Sequence, residues 1–153
     1  MRNYSGKLPI KMLLYRAHSS GLSSSPRIPL AQSGKKVLVA DDQAASRELS
    51  RTVLEQSGHT VWEAADGTEA VRFAREVLPD LIVLDLHMPM LDGFGVLEQL
   101  RRDENLIGTP IVALTATAMQ GDRERALSAG FASYLAKPTS LCVLRSAIER
   151  WLG

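Results

Sequence analysis

The sequence is poor in cysteine. Cys142 is the single one among 153 residues, so no disulfide can close within the chain and nothing marks it for an oxidising compartment. It falls in an apolar helical stretch, where a free cysteine is expected to behave as a small buried hydrophobe. Long apolar runs are also missing, since none approaches the roughly 18 residues of a membrane-spanning helix. No G-x-x-x-x-G-K-[ST] segment is present, which excludes a nucleotide-binding P-loop. His18, His59 and His87 stand at no metal-ligand spacing, which argues against zinc. Acidic residues are absent from positions 1–36, which hold seven Lys or Arg, so that eleven bases face all seventeen acids in residues 37–153 and leave the body at −6. A body of that charge is not a general nucleic-acid binder.

What is there fits one soluble domain with a single core. Residues 1–34 read as a basic tail or linker, because Ser19, Ser20, Gly21, Leu22, Ser23, Ser24, Ser25 and Pro26 disfavour a packed element. Leu8 to Tyr15 has the pattern of a short basic amphipathic turn, and an Arg- and Ser-rich leader without acids is also how a transit peptide looks. From residue 35 onward short apolar runs alternate with helical periodicity. Val37–Ala40, Leu81–Leu84 and Ile111–Leu114 are strands buried on both faces, and Thr60–Ala64 and Ser133–Ala136 are two more, the first with the mixed composition of an edge. Between them Ala45, Leu49 and Val53 mark one buried helix face, and Ala70, Val71, Ala74 and Leu78 a second. Val96, Leu97 and Leu100 mark a third, and Leu141, Leu144, Ile148 and Leu152 the last. The fourth helix, around Ala118 to Ala129, has a thin apolar face and is interrupted by Gly121. Five strands alternating with five helices call for an open α/β fold, a parallel sheet with helices on both faces.

In such a sheet ligands sit beyond the carboxyl ends of the strands, and the polar residues gather there. Asp41 and Asp42 follow the first run, Asp85 the third, Thr115 the fourth and Lys137 the fifth. Three carboxylates brought together repel, and a hard divalent cation such as Mg²⁺ relieves the repulsion through oxygen ligands. Lys137 and the Thr115 hydroxyl would then suit phosphoryl oxygens. Taken singly each residue has a plainer reading. The Asp pair serves as a helix cap, Thr115 as a turn residue, and Lys137 before Pro138 as a solvated side chain. Their conjunction at four strand ends favours one phosphoryl site. Asp92-Gly93 opens the third helix, with Asp92 as its cap.

The segments Val39-Ala40-Asp41-Asp42, Leu84-Asp85-Leu86-His87-Met88-Pro89-Met90-Leu91-Asp92-Gly93, Ala113-Leu114-Thr115-Ala116 and Tyr134-Leu135-Ala136-Lys137-Pro138 resemble, in order and spacing, the motif series of response-regulator receiver domains. The resemblance covers residues 35–153 and implies a flavodoxin-like five-stranded parallel sheet of order 2-1-3-4-5. It implies that Asp85 is the phosphoacceptor, charged by a histidine kinase or a histidine phosphotransfer protein. Asp42 and Asp85 would bind Mg²⁺ directly, Asp41 largely through water, and the His87 backbone carbonyl would complete the protein ligands. Thr115, the Ala116 amide and Lys137 would hold the phosphoryl oxygens, and the Lys137–Pro138 bond would be cis. Tyr134 would be the switch aromatic that moves with Thr115. The fourth helix, fifth strand and fifth helix would form the surface for a downstream protein partner. Phosphorylation then acts as a population shift between two states.

The expected protein is thus a cytoplasmic signalling phosphoacceptor rather than an enzyme with turnover, with no membrane segment and no direct nucleic-acid contact. Because a Ser-rich linker precedes the domain and no output domain follows Gly153, the alternative within the family is the terminal receiver of a hybrid sensor histidine kinase. A phosphohydrolase of the haloacid dehalogenase kind is disfavoured, since it needs an acid two residues after the nucleophile and that place is His87. A receiver-like domain used only for interaction is disfavoured by the intact set of Asp41, Asp42, Asp85, Thr115 and Lys137.

Overall fold

Short runs of aliphatic and β-branched residues favour pleated, two-sided burial, and five of them become strands. The computed structural model describes residues 34–116 and 119–152; residues 1–33, which carry the expected tail and the Leu8 to Tyr15 turn, lie outside the described residues, as do 117, 118 and 153. The elements alternate as β1 (Lys36–Ala40), α1 (Ala44–Gln56), β2 (Thr60–Ala64), α2 (Gly67–Val77), β3 (Leu81–Asp85), α3 (Gly93–Arg101), β4 (Ile111–Thr115), α4 (Asp122–Ala129), β5 (Ser133–Ala136) and α5 (Leu141–Leu152). All pairings are parallel and the strand order is β2-β1-β3-β4-β5. The expected α/β architecture is the observed one, with β2 at an edge.

Alternation along the strands divides the core in two. Val37, Val39, Val61, Leu81, Val83, Val112 and Leu114 pack against Val53 and Leu54 of α1 and Leu144 and Ile148 of α5. The intervening residues, among them Leu38, Trp62, Ile82, Leu84 and Ile111, are buried as well, on the face where α2 and α3 lie. Helix α4 joins that layer, because the Arg125 guanidinium stands 4.2 Å from the centre of the Phe94 ring of α3 and Phe131 meets Phe94 edge-on at 5.6 Å. Each fully buried aliphatic side chain contributes about 1.5–3 kcal/mol.

Helix packing departs from the sequence reading in four places, the first being Leu78, which stands past the end of α2 as a half-buried cap at φ 52° and not on its buried face. On α1 the buried residues are Ser50, Val53 and Leu54, whereas Ala45 is exposed and Leu49 is 44% exposed. The first two turns of α1 extend beyond the strand ends, so their apolar residues border an open groove instead of the sheet. Helix α4 begins at Asp122, after Gly121 at φ 89°, and buries Ala126 alone. On α5, Leu144 and Ile148 face the core while Leu141 is exposed at the helix start. Cys142 is exposed too, because two residues before Leu144 lies about 200° around the helix from it. Its expected burial is therefore overturned. The third helix opens as expected, with Asp92 Oδ1 accepting from the Gly95 amide at 2.8 Å.

Candidate functional site

The strand register carries the polar residues to one rim. Ala40 of β1 pairs with Leu84 of β3, so Asp41 and Asp85 follow adjacent positions of neighbouring central strands. The Asp41 amide still donates to Ala64 O at 3.0 Å, which holds the chain in register one residue past β1. Asp41 Oδ1 accepts from the Gln43 amide at 2.9 Å, and Arg47 Nη1 donates to Asp41 O at 2.7 Å. The capping reading of the acid pair fails, because the residue that caps α1 is Gln43, which makes no side-chain capping bond. The Asp41 carboxylate is turned to the rim instead.

Asp85 ends β3 and is 5% exposed. Its Oδ1 accepts from the His87 amide at 3.0 Å, and its Oδ2 accepts from Lys137 Nζ at 3.2 Å. The same ammonium donates to Asp41 Oδ2 at 2.5 Å. Lys137 is fixed from behind by its own amide, which donates to Thr115 O at 2.7 Å, and the Lys137–Pro138 bond is cis. Carboxylate oxygens of Asp41, Asp42 and Asp85 all lie within 4.8 Å of one another.

Charge explains the arrangement. Three carboxylates against one ammonium leave two negative charges, which one divalent cation would balance. Burial pushes the Asp85 carboxyl above its ordinary value, with the nearby Asp41 charge adding to it, and the His87 amide and Lys137 do not fully offset this. Burial also pushes Asp41 up, but hydrogen bonds from Lys137, Ser46 and the Gln43 amide outweigh it and hold Asp41 below the usual carboxylate range. Burial lowers Lys137, and its bond and charge interactions with Asp41 and Asp85 raise it to a net position above an ordinary lysine. All donors in the cluster are hard oxygens, and opposite ligands of an Mg²⁺ octahedron stand about 4.1 Å apart. The cluster therefore fits such an ion with a small adjustment or one bridging water.

The remaining predicted residues sit around this centre. Thr115 ends β4, one position beyond the residue paired with Asp85, and is fully buried. Ala116 follows it and is exposed. His87 is exposed, with its amide engaged by Asp85. Tyr134 lies two strands from Asp85, opposite Ala113, buried with its hydroxyl unpartnered. Sequence reasoning missed Ser46 and Arg47, which hold the side chain and carbonyl of Asp41. The signal was their place in the first turn of α1, the turn nearest the strand end. A groove of about 430 Å³ beside the site is bordered by Ala45, Leu49, Ala116, Lys137 and Pro138.

An open parallel sheet with a buried acid, two further carboxylates and a lysine at its carboxyl rim defines a class of phosphoryl-accepting α/β proteins. The sequence model for the response regulator receiver domain matches residues 37–149, and the chain belongs to that family. It is 37% identical over 119 residues to the polar-differentiation response regulator DivK of Brucella ovis, a match covering 78% of this chain and 97% of the relative. The structure resembles the receiver domain of sensor histidine kinase PA1611 from Pseudomonas aeruginosa PAO1, which has a magnesium ion coordinated in its active site cleft. That match has 39% identity and a TM-score of 0.72, covering 78% of this chain and 98% of that one. Chemotaxis response regulator CheY4 of Vibrio cholerae matches at 30% identity and a TM-score of 0.73, covering 77% and 98%. The protein is thus a receiver domain of two-component signal transduction, a family of signalling phosphoacceptors that work with histidine kinases or phosphotransfer proteins. Among the described residues no helix is long and apolar enough to cross a membrane.

Proposed function

We propose that Asp85 accepts the phosphoryl group, from a phosphohistidine of a histidine kinase or a histidine phosphotransfer protein. The observation that carries this is the contact of one ammonium, Lys137 Nζ, with both Asp41 and the buried Asp85. A carboxylate oxygen of Asp85 bonds to phosphorus as the P–N bond breaks, and the imidazole nitrogen leaves with the electron pair. Asp42 and Asp85 would hold Mg²⁺ directly, with Asp41 acting through water and the His87 carbonyl as a further ligand. When bound, that ion supplies charge neutralisation of the transferring oxygens. Lys137 exchanges its contact with Asp85 for one with the new phosphoryl oxygens, and the Thr115 hydroxyl and Ala116 amide donate to the others.

Drawing Thr115 toward the phosphoryl group opens space beside it, into which we propose Tyr134 moves. A buried hydroxyl without a partner supports a side chain that is not locked in one position. The readout surface we assign to α4, β5 and α5. Leu127 of α4 and Trp151 of α5 are exposed there, and Trp151 Nε1 donates to Ser133 Oγ of β5 at 2.9 Å. Histidine phosphodonors are charged from ATP, so the proposed setting is the cytoplasm. The test is incubation of the chain with acetyl phosphate and Mg²⁺ followed by intact mass. One phosphoryl group should be added, removed by hydroxylamine, and Asp85→Asn should take none; label on another residue would overturn the assignment.

A further inference from the structure

Helix α1 begins under an electrostatic handicap. The free amides of a helix start favour an acid and disfavour a cation, yet the first turn of α1 holds no acid and its fourth residue is Arg47. Arg51 lies one turn further along the same side of the helix. Two cations in succession thus line a helix that starts beside the acidic rim, and a site for Mg²⁺ gains nothing from their charge. The contacts of Arg47 supply another reason for it.

Arg47 reaches in two directions at once. Its Nη1 donates to Asp41 O at 2.7 Å, while its Nε stands 3.5 Å from Glu63 Oε1. Glu63 belongs to the edge strand β2, opposite Val39 of β1, and alternation puts it on the same face as Val61, which packs toward α1. Its other oxygen, Oε2, is 3.4 Å from Arg51 Nη1, so one carboxylate faces both arginines. The Arg47 and Glu63 side chains are only 19% and 21% exposed. A planar guanidinium held through Nε keeps Nη1 aimed, which the point charge of a lysine would not do.

Nη1 is aimed at the peptide between Asp41 and Asp42. That unit is planar, so fixing the Asp41 carbonyl also fixes the Asp42 amide. At its other end, the Asp41 amide donates to Ala64 O at 3.0 Å. The main chain of Asp41 is therefore clamped twice to successive residues of β2, directly by Ala64 and through Arg47 by Glu63. Asp42 is exposed, and the clamped peptide sets the direction in which its carboxylate leaves the chain.

We propose that Arg47 is a positioning residue for the cation site, holding the Asp41–Asp42 peptide so that both carboxylates converge with Asp85, and that Glu63 is the counter-ion that orients Arg47 and cancels its charge. The inference rests on the reading of the rim as the Mg²⁺ and phosphoacceptor site. Metal ligands depend on such outer partners, whose loss typically costs about 10- to 100-fold in affinity.

The test is calorimetric titration of the full chain with MgCl₂, wild type beside Arg47→Met, Glu63→Gln and Arg51→Met, each also unfolded in urea with EDTA. Charge and position predict opposite signs for Arg47→Met. Removing a cation should by charge alone tighten Mg²⁺ binding, whereas losing the peptide clamp should weaken it by about tenfold. Glu63→Gln should also weaken binding by about tenfold, and should keep most of that loss relative to wild type in about 1 M KCl, where charges are screened beyond about 3 Å. Arg51→Met, which removes the same charge one turn away, should stay within about threefold of wild type. Equal or tighter binding by Arg47→Met overturns the inference whatever its urea midpoint, because the pair is then a clasp between helix and sheet. So does a loss in Arg51→Met as large as that in Arg47→Met. A Glu63→Gln loss that salt abolishes overturns it too, and decides the matter if Arg47→Met does not fold. A wild-type chain that binds no Mg²⁺ overturns the reading of the rim, and this inference with it.

Discussion

At the scale of the residue, the buried Asp85 works against the fold that positions it. Its folded pKa lies above the ordinary aspartate value of 3.8, so the folded state holds the proton more tightly than the unfolded chain. Stability therefore falls as pH rises from 3.8 through the folded value, and the penalty is complete above it. Asp85→Asn, besides refusing the phosphoryl group, should melt higher than wild type in EDTA at pH 7 by about 1 kcal/mol. The gain should shrink as pH approaches 4; equal melts at pH 7 would refute this. Asp41 and Lys137 run the other way. Asp41 is depressed, so its contribution is present above 3.8 and is lost as pH falls through its folded value. Lys137 is raised, so its contribution is present below 10.5 and is lost as pH rises through its folded value. Lys137→Met leaves two buried carboxylates facing each other and should cost about 3 kcal/mol in urea unfolding without metal. Tyr134→Phe removes an unpartnered hydroxyl and should leave the urea midpoint unchanged or raised. The acids, threonine and lysine were legible because each ends an apolar run where a charge has no packing reason to be. Ser46 and Arg47 were not, since neither residue type in the first turn of a helix points to a rim acid until coordinates show what it touches.

At the scale of the element, strands were easier to read than helices. A strand buried on both faces is a continuous apolar run, and Ser133–Ala136 and Thr60–Ala64 came out with the expected bounds. A helix shows only its period, and the period does not say where the helix leaves the sheet. That is why Ala45, Leu49 and Leu141 looked like core residues and stand at the rim. The consequence is measurable on α1. Leu54→Ala, at a residue 1% exposed, should cost about 2–5 kcal/mol, while Leu49→Ala, at one 44% exposed, should stay within about 0.5 kcal/mol. Comparable losses in chemical denaturation would contradict the packing described for this helix. The start of α2 is equally demanding. Gly67→Ala forces a methyl into the Leu91 carbonyl and should destabilise by about 2 kcal/mol or more, whereas Gly108→Ala meets nothing within 4 Å and should be silent.

At the scale of the whole molecule, the open sheet gathers residues from four strand ends into one rim whose net negative charge is suited to a divalent cation. A cation that binds only the assembled rim stabilises the whole domain, by about 2.7 kcal/mol at a hundredfold excess over its dissociation constant. Thermal melts with MgCl₂ should show this gain for wild type and much less of it for Asp42→Asn; identical gains would place the ion elsewhere. The contact between Asp41 and Lys137 spans 96 positions of the chain, and the lysine directly follows β5, the fifth strand of the sheet in chain order. No shorter stretch of the polypeptide holds both partners, so the ion pair closes only after Lys137 has been made and its strand has joined the sheet. A nascent receiver cut short before that lysine lacks the cation that faces both acids.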